Sequence, residues 1–136
     1  MIVEPYLFFD GLCEKAIDFY KKALGAEVTS LIRFKESPEP APYGEPDKIM
    51  HASFRVGDTT IMASDGRCQG KPKFEGFALT IGVKTEAEAK RTFDGLANGG
   101  RIELPLGKTF FSPSFGMVAD RFGIMWMVMI PTMPPS

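Results

Sequence analysis

The sequence is poor in histidine, cysteine, tryptophan and long apolar runs, and each scarcity narrows what it does. A single histidine among 136 residues leaves all imidazole chemistry to His51. The two cysteines, Cys13 and Cys68, sit in unlike contexts and make no disulfide framework, so they read as free thiols in a reducing compartment. The longest apolar run, residues 124–130, is too short to cross a bilayer as a helix. The opening Met1-Ile2-Val3-Glu4-Pro5 has no cationic stretch and carries an acid and a proline where a signal peptide needs apolar helix. Sixteen basic against seventeen acidic residues give a net charge of −1, so no basic face is expected to attract nucleic acid or anionic membrane. No G-x-G-x-x-G element is present to hold a nucleotide-like cofactor. The expected address is the cytoplasm.

What remains is ordinary globular composition, 44% hydrophobic and 24% charged, long enough for one core. Val3 to Phe9 reads as a strand ending at the Asp10-Gly11 turn. Glu14 to Leu24 switches to helical period: Ala16, Ile17, Tyr20, Ala23 and Leu24 share a stripe with Phe19 at its edge, and Gly25 stops the helix. Ala26 to Phe34 reads as a strand. Residues 35–48 hold four prolines and four acids, which leaves a long loop, a lid or a dimer arm. Ile49 to Val56 and Thr59 to Ser64 form a hairpin around Gly57-Asp58, and a polar stretch follows from Asp65 to Glu75.

The pattern then starts again. Gly76 to Val83 is a strand, and Thr85-Glu86-Ala87-Glu88 is a capping box for a helix whose stripe is Ala89, Phe93, Leu96 and Ala97. Asn98-Gly99-Gly100 ends it. Arg101 to Leu106, Gly116 to Ala119 and Ile124 to Ile130 supply three more strands, and the tail from 132 to 136 is expected to be flexible. The order strand, helix, three strands is therefore written twice, in modules of about 1–70 and 71–131. Two helices for eight strands exclude a doubly wound parallel sheet, and the fold expected is α+β with two βαβββ modules in one domain.

Several stretches carry a family resemblance: Pro5-Tyr6-Leu7-Phe8-Phe9-Asp10-Gly11 with Cys13-Glu14-Lys15-Ala16, Phe19-Tyr20, Leu24-Gly25 and Lys48-Ile49-Met50-His51-Ala52. Others are Met62-Ala63-Ser64-Asp65, Leu96-Ala97-Asn98-Gly99-Gly100, Thr109-Phe110-Phe111, Phe115 to Gly123, and Trp126-Met127. Together they resemble the PhnB-like family of the vicinal oxygen chelate superfamily, which includes glyoxalase I, extradiol dioxygenases and bleomycin-resistance proteins. The resemblance implies mixed sheets curved into a glyoxalase/bleomycin-resistance-type half-barrel and a homodimer whose subunits complete each cleft. Leu12 and Phe111 depart from the Asn and Trp usual there. Some relatives carry a methyltransferase label, which the missing glycine-rich element does not support.

In metal-dependent relatives a Glu stands four residues after the glycine of the last turn. Here that glycine is Gly123 and the fourth residue on is Met127, a poor donor to hard or borderline cations. Met62, Ala63 and Ser64, and Phe77, Ala78 and Leu79, offer nothing better at the matching strands, and Glu4 or Tyr6 alone does not hold a divalent ion. No metal and no cofactor are expected.

His51 alternates with Met50, Ala52, Phe54 and Val56, so it shares the other strand face with Ser53 and Arg55. It serves either as a ligand anchor or general base, or in a structural hydrogen bond to Asp65 or a backbone carbonyl. The last strand is apolar on both faces, so one face packs beneath a helix and the methionine face either lines a pocket or joins core or interface. Phe110, Phe111 and Phe115 either close that pocket or build an interface. Cys13, in the first helical turn, is a packing residue or a thiol activated by the helix dipole. Gly66 to Pro72 falls short of a phosphate loop in spacing and in its last residue.

The residues expected to meet a ligand are His51, Met62, Asp65, Phe111, Phe115, Met125 and Met127, with His51 as the candidate catalytic group. The leading expectation is a metal-independent protein that binds a small, partly apolar molecule. The alternatives are a lyase, isomerase or dioxygenase-like enzyme on a small oxygenated metabolite, with His51 as base assisted by Glu4 or Asp65, and a purely structural dimer module.

Overall fold

The computed structural model describes residues 1–38, 45–66 and 71–132. The chain divides into two compact units, Met1–Pro72 and Lys73–Ser136. Each contains an open four-stranded mixed sheet and one long helix packed on it.

In the first unit the elements are β1 (Tyr6–Phe8), α1 (Cys13–Leu24), β2 (Glu27–Arg33), β3 (Ile49–Val56) and β4 (Thr59–Ser64). The sheet order is β1-β4-β3-β2, with β1 parallel to β4 and the other pairs antiparallel. α1 buries Ala16, Ile17 and Tyr20 at helical spacing and leaves Lys15, Asp18, Lys21 and Lys22 in water. Phe19, expected at the edge of the stripe, is buried too. The helix stops at Gly25, whose φ of +67° suits a residue without Cβ.

Beneath it lie Leu7 of β1, Ala52 and Phe54 of β3, and Ile61 and Ala63 of β4, all buried. Tyr20 stacks on Phe54 with ring centroids 5.8 Å apart. Burial of these side chains contributes roughly 1.5–3 kcal/mol each for the larger ones. Two expectations need correction. β1 is shorter than Val3–Phe9 because Ile2, Val3 and Glu4 lie exposed outside the ladder. At the start of β3 it is Ile49, not Met50, that is fully buried. The ladder slips between Ile32 and Arg33, so that Ile32 pairs with His51 and Arg33 with Ile49. The extra residue in β3 reverses the alternation there.

The second unit repeats the plan with β5 (Leu79–Gly82), α2 (Glu86–Ala97), β6 (Arg101–Gly107), β7 (Phe115–Ala119) and β8 (Met125–Met129), in the order β5-β8-β7-β6. The Thr85 hydroxyl accepts the Glu88 amide at 3.1 Å, which supplies one of the two bonds of the expected capping box. Ala89, Phe93 and Leu96 are buried toward the sheet, where Val118, Trp126 and Val128 are buried in turn. Gly116 permits this approach: a Cβ there would lie 2.7 Å from the Phe93 ring. β5 begins at Leu79 rather than Gly76, which adopts a left-handed φ of +80° and so turns the chain instead of extending it. β6 is an edge strand with ladder shifts on both sides of Leu104, a setting that tolerates Pro105.

The stretch expected as a loop over 35–48 opens with a 3-10 turn at Phe34–Glu36 and is tied at its far end by the Lys35 and Phe34 amides, which donate to the Pro46 and Lys48 carbonyls. Residues 39–44 of that loop, residues 67–70 (with Cys68 and most of the glycine-containing stretch) and residues 133–136 of the tail lie outside the described residues.

Candidate functional site

In both sheets the helix covers one face, and paired residues point to the same side. The face of the first sheet away from α1 therefore carries Tyr6 and Phe8 of β1, Met62 of β4, and His51 and Ser53 of β3, because Tyr6 pairs with Met62 and Met62 with Ser53. Tyr6, His51, Ser53 and Met62 are all partly exposed. The Tyr6 hydroxyl reaches across β4 and is hydrogen-bonded to His51 Nδ1 at 3.0 Å. Ser53 Oγ lies 3.3 Å from His51 Nε2. Tyr6 is also in ring contact with Phe8 at 4.8 Å and with His51 at 5.6 Å. His51 is thus held from both ring nitrogens by side-chain hydroxyls, not by Asp65 or a backbone carbonyl.

Asp65 sits apart from that row, 9% exposed at the end of β4. One carboxylate oxygen accepts the Cys13 amide and the other the Ile49 amide, both at 2.9 Å. This closes the start of α1 from outside the helix. Leu12, the residue before the first turn, has no side chain to do so, and an unpaired buried amide is costly. The anion also opposes the positive end of the helix dipole.

Cys13 is fully buried beside it. Burial pushes its thiol up, and the nearby Asp65 and Glu14 carboxylates push the same way, so it packs as a neutral thiol instead of being activated. Glu14, on the outer side of α1, is held below its ordinary range chiefly by the Arg33 guanidinium, which grips both of its oxygens.

The open face of the second sheet is built from thioethers. Met125, Met127 and Met129 alternate with buried Trp126 and Val128, which makes the methionine face the one turned away from α2. Met117 pairs with Met127 and Phe115 with Met129. Phe111 meets Phe115 edge to face at 5.0 Å, and Phe110 meets Phe111 at 5.1 Å. The expected residues Phe111, Phe115, Met125 and Met127 thus fall on or beside one surface, to which the ladder adds Met117 and Met129. Asp120, buried at the β7–β8 turn, accepts the Trp126 indole N–H at 2.8 Å and the Phe122 and Ile124 amides. Like Asp65, it is fixed by donors around a chain reversal. Tyr6 as a partner of His51, and both aspartates as anchors, were not legible from spacing alone, because each partnership spans a sheet register.

The positions where metal-binding relatives place donors can now be read from that register. The first parallel pair sets Tyr6 beside Met62. The second sets Thr80, not Phe77, Ala78 or Leu79, beside Met127, and the Thr80 hydroxyl donates to the Met127 sulfur at 3.8 Å. Thioethers and neutral hydroxyls do not fit a hard or borderline divalent cation. Among the described residues no three His, Cys, Asp or Glu side chains gather.

The family model that matches residues 2–129 is described as 3-demethylubiquinone-9 3-methyltransferase. The β1–α1 turn does not fit a nucleotide-like methyl donor. The turn from β1 into α1 contains one glycine, Gly11, and the first amide of α1 is already taken by Asp65.

Among proteins similar to this chain, YjdN of Escherichia coli is 39% identical over 100% of this chain and 99% of its own. The crystal structure of protein PA1353 from Pseudomonas aeruginosa is 42% identical with a TM-score of 0.86, covering 96% of this chain and 98% of that one. The PhnB protein from Bacillus cereus is 28% identical with a TM-score of 0.81, covering 96% and 99%. A glyoxylase/bleomycin resistance protein/dioxygenase domain from Frankia shares the fold at 17% identity and a TM-score of 0.65, covering 97% and 98%. The model matched over residues 2–129 shows that the chain belongs to the PhnB-like family, and the likeness to the Frankia domain shows that its two βαβββ copies share the glyoxalase/bleomycin-resistance-type fold.

Proposed function

We propose that the protein binds a small, partly apolar molecule without a metal ion, and that His51 is the polar anchor. The glyoxalase/bleomycin-resistance-type fold supports a small-molecule-binding domain. The observation that carries the reading is the setting of His51: a hydroxyl–imidazole–hydroxyl row beside Phe8 and Met62, partly exposed on the side away from α1. A few oriented polar groups within an apolar lining are what ligand sites use to fix a molecule's orientation. Met125 and Met127, with Phe111 and Phe115, give the second sheet a surface of similar adaptable chemistry. Asp65 enters the proposal through its hold on α1 and β3 rather than through ligand contact.

A thermal-shift screen of small neutral and acidic aromatics tests the reading. Compounds that raise the melting temperature should lose affinity by about tenfold in His51→Ala, the cost of one hydrogen bond left unmade. Equal affinity in wild type and variant removes His51 from the site.

A second reading is favoured by the contact of Ser53 with His51 Nε2: a lyase or isomerase in which His51 acts as base on a small oxygenated metabolite. It requires turnover that His51→Ala abolishes. A homodimer is proposed on the exposed apolar side chains of the second unit, Ile102, Leu104 and Phe110, and light scattering giving twice the chain mass would support it.

A further inference from the structure

The row Tyr6–His51–Ser53 obeys a hydrogen count. Neutral histidine offers one N–H and one acceptor nitrogen, and each hydroxyl one hydrogen. Three hydrogens serve two internal contacts, so one remains. Among the described residues neither hydroxyl has a further side-chain partner. If His51 carries its hydrogen on Nε2, Tyr6 donates to Nδ1 and the spare hydrogen belongs to Ser53. If it carries the hydrogen on Nδ1, Ser53 donates to Nε2 and the spare hydrogen belongs to Tyr6. In the uncharged form of His51, one end of the row therefore presents a donor, and the tautomer decides which.

The surroundings choose between the ends. The Tyr6 end lies beside the Phe8 ring, 4.8 Å away, and in register with Met62, a flat apolar bed. The Ser53 end runs toward Ser30, its ladder partner, and the Arg55–Glu27 ion pair. An aromatic ring gains contact only at the first.

We infer that the open face of the first sheet selects an uncharged, planar compound bearing a carbonyl-type oxygen. The ring of that compound rests on Tyr6, Phe8 and Met62, and its oxygen accepts from the Tyr6 hydroxyl, which fixes His51 in the Nδ1–H form. The inference rests on the ligand-binding reading above and adds the ligand's chemical class. Tyr6 becomes the specificity-determining contact, while His51 and Ser53 position its hydrogen.

Because His51 is the sole histidine, the imidazole nitrogen spectrum of uniformly ¹⁵N-labelled protein reports its tautomer without assignment. The probes are 1-tetralone, a neutral ketone whose carbonyl lies near the plane of its aromatic ring, and 1-methylenetetralin, which has nearly the same shape without the oxygen. The expected result is that tetralone moves the His51 nitrogens toward the Nδ1–H pattern and binds about tenfold more tightly than the hydrocarbon. Tyr6→Phe should erase that discrimination, and Ser53→Ala should keep it while blurring the tautomer shift. Equal binding of the two probes, or binding with no tautomer change, overturns the inference and leaves the ligand-binding reading standing. Failure of both probes while another compound of the screen binds through His51 does the same. A screen with no binder at all overturns both.

Discussion

Replacing Asp65 probes the join between the helix and the sheet in the first unit. Its two oxygens accept the Cys13 and Ile49 amides at 2.9 Å each, in a site 9% exposed. Asp65→Ala leaves both amides without their acceptor. Each orphaned buried group costs about 1–3 kcal/mol, and some is recovered where water enters. A loss of about 2–4 kcal/mol is expected, of the order of 10 °C in melting temperature for a chain of this size.

Asp65→Asn keeps one acceptor but turns an NH₂ group toward the other amide, so it should fall about midway. Leu12→Asp in the Asp65→Ala background supplies a local cap to the first turn of α1 and should restore about 1 kcal/mol. It cannot reach Ile49, so rescue must be partial. Urea denaturation with constant m-value provides the assay. An Asp65→Ala protein within about 0.5 kcal/mol of wild type would refute the reasoning, and full rescue by Leu12→Asp would show that the Ile49 contact contributes nothing.

Three further outcomes follow from the packing. Gly116→Ala places a Cβ 2.7 Å from the Phe93 ring and 3.1 Å from the Leu106 backbone; it should destabilise by about 1–3 kcal/mol, with partial recovery on adding Phe93→Leu, read by the same denaturation. Native protein treated with a thiol-disulfide reagent should leave Cys13 unmodified until it unfolds, since burial keeps its thiol protonated and covered; rapid modification of Cys13 in a Cys68→Ser protein would contradict this. Arg33→Met should destabilise slightly above the ordinary carboxylate range. Glu14 is depressed by Arg33 in the folded state, so the pair's contribution is present above the unfolded carboxyl's pKa and fades as pH falls through the folded value. The two proteins' stabilities should therefore converge at low pH.

The repeat was legible because its signals are local. Gly25 after an apolar stripe, Thr85 three residues before Glu88, and the hairpin around Gly57-Asp58 each act within a few residues, and the strands and helices stand close to those signals. The open and covered faces of β8 were legible as alternation, though which face the helix takes required burial: Trp126 and Val128 lie beneath α2 and the methionines do not. What escaped depended on register. Nothing in the sequence says that Tyr6 stands across Met62 from Ser53, that Thr80 rather than Leu79 lies beside Met127, or that a slip near Ile32 buries Ile49 instead of Met50. A register is fixed by the summed packing of a whole strand, so no short window contains it.

The duplication sharpens the argument about chemistry. The same ladder position is Met62 in one sheet and Met127 in the other, each flanked across the parallel pair by a hydroxyl-bearing residue, Tyr6 and Thr80. Across the antiparallel neighbour the halves diverge: Ser53 stands against Met62, but Met117 against Met127. One copy of the plan therefore carries a polar row centred on an imidazole, and the other presents contiguous thioethers. A divalent cation would demand oxygen, nitrogen or thiolate donors at such positions. The hydroxyls and imidazole of the first sheet instead suit recognition through an oriented hydrogen, and the thioethers of the second suit apolar contact. Met127→Glu should leave binding of a tetralone-type probe at the Tyr6 row unchanged, because that row takes its hydrogen bonds from Tyr6, His51 and Ser53 alone. Calorimetry would check it, and a large loss of affinity would mean that the polar row does not act alone.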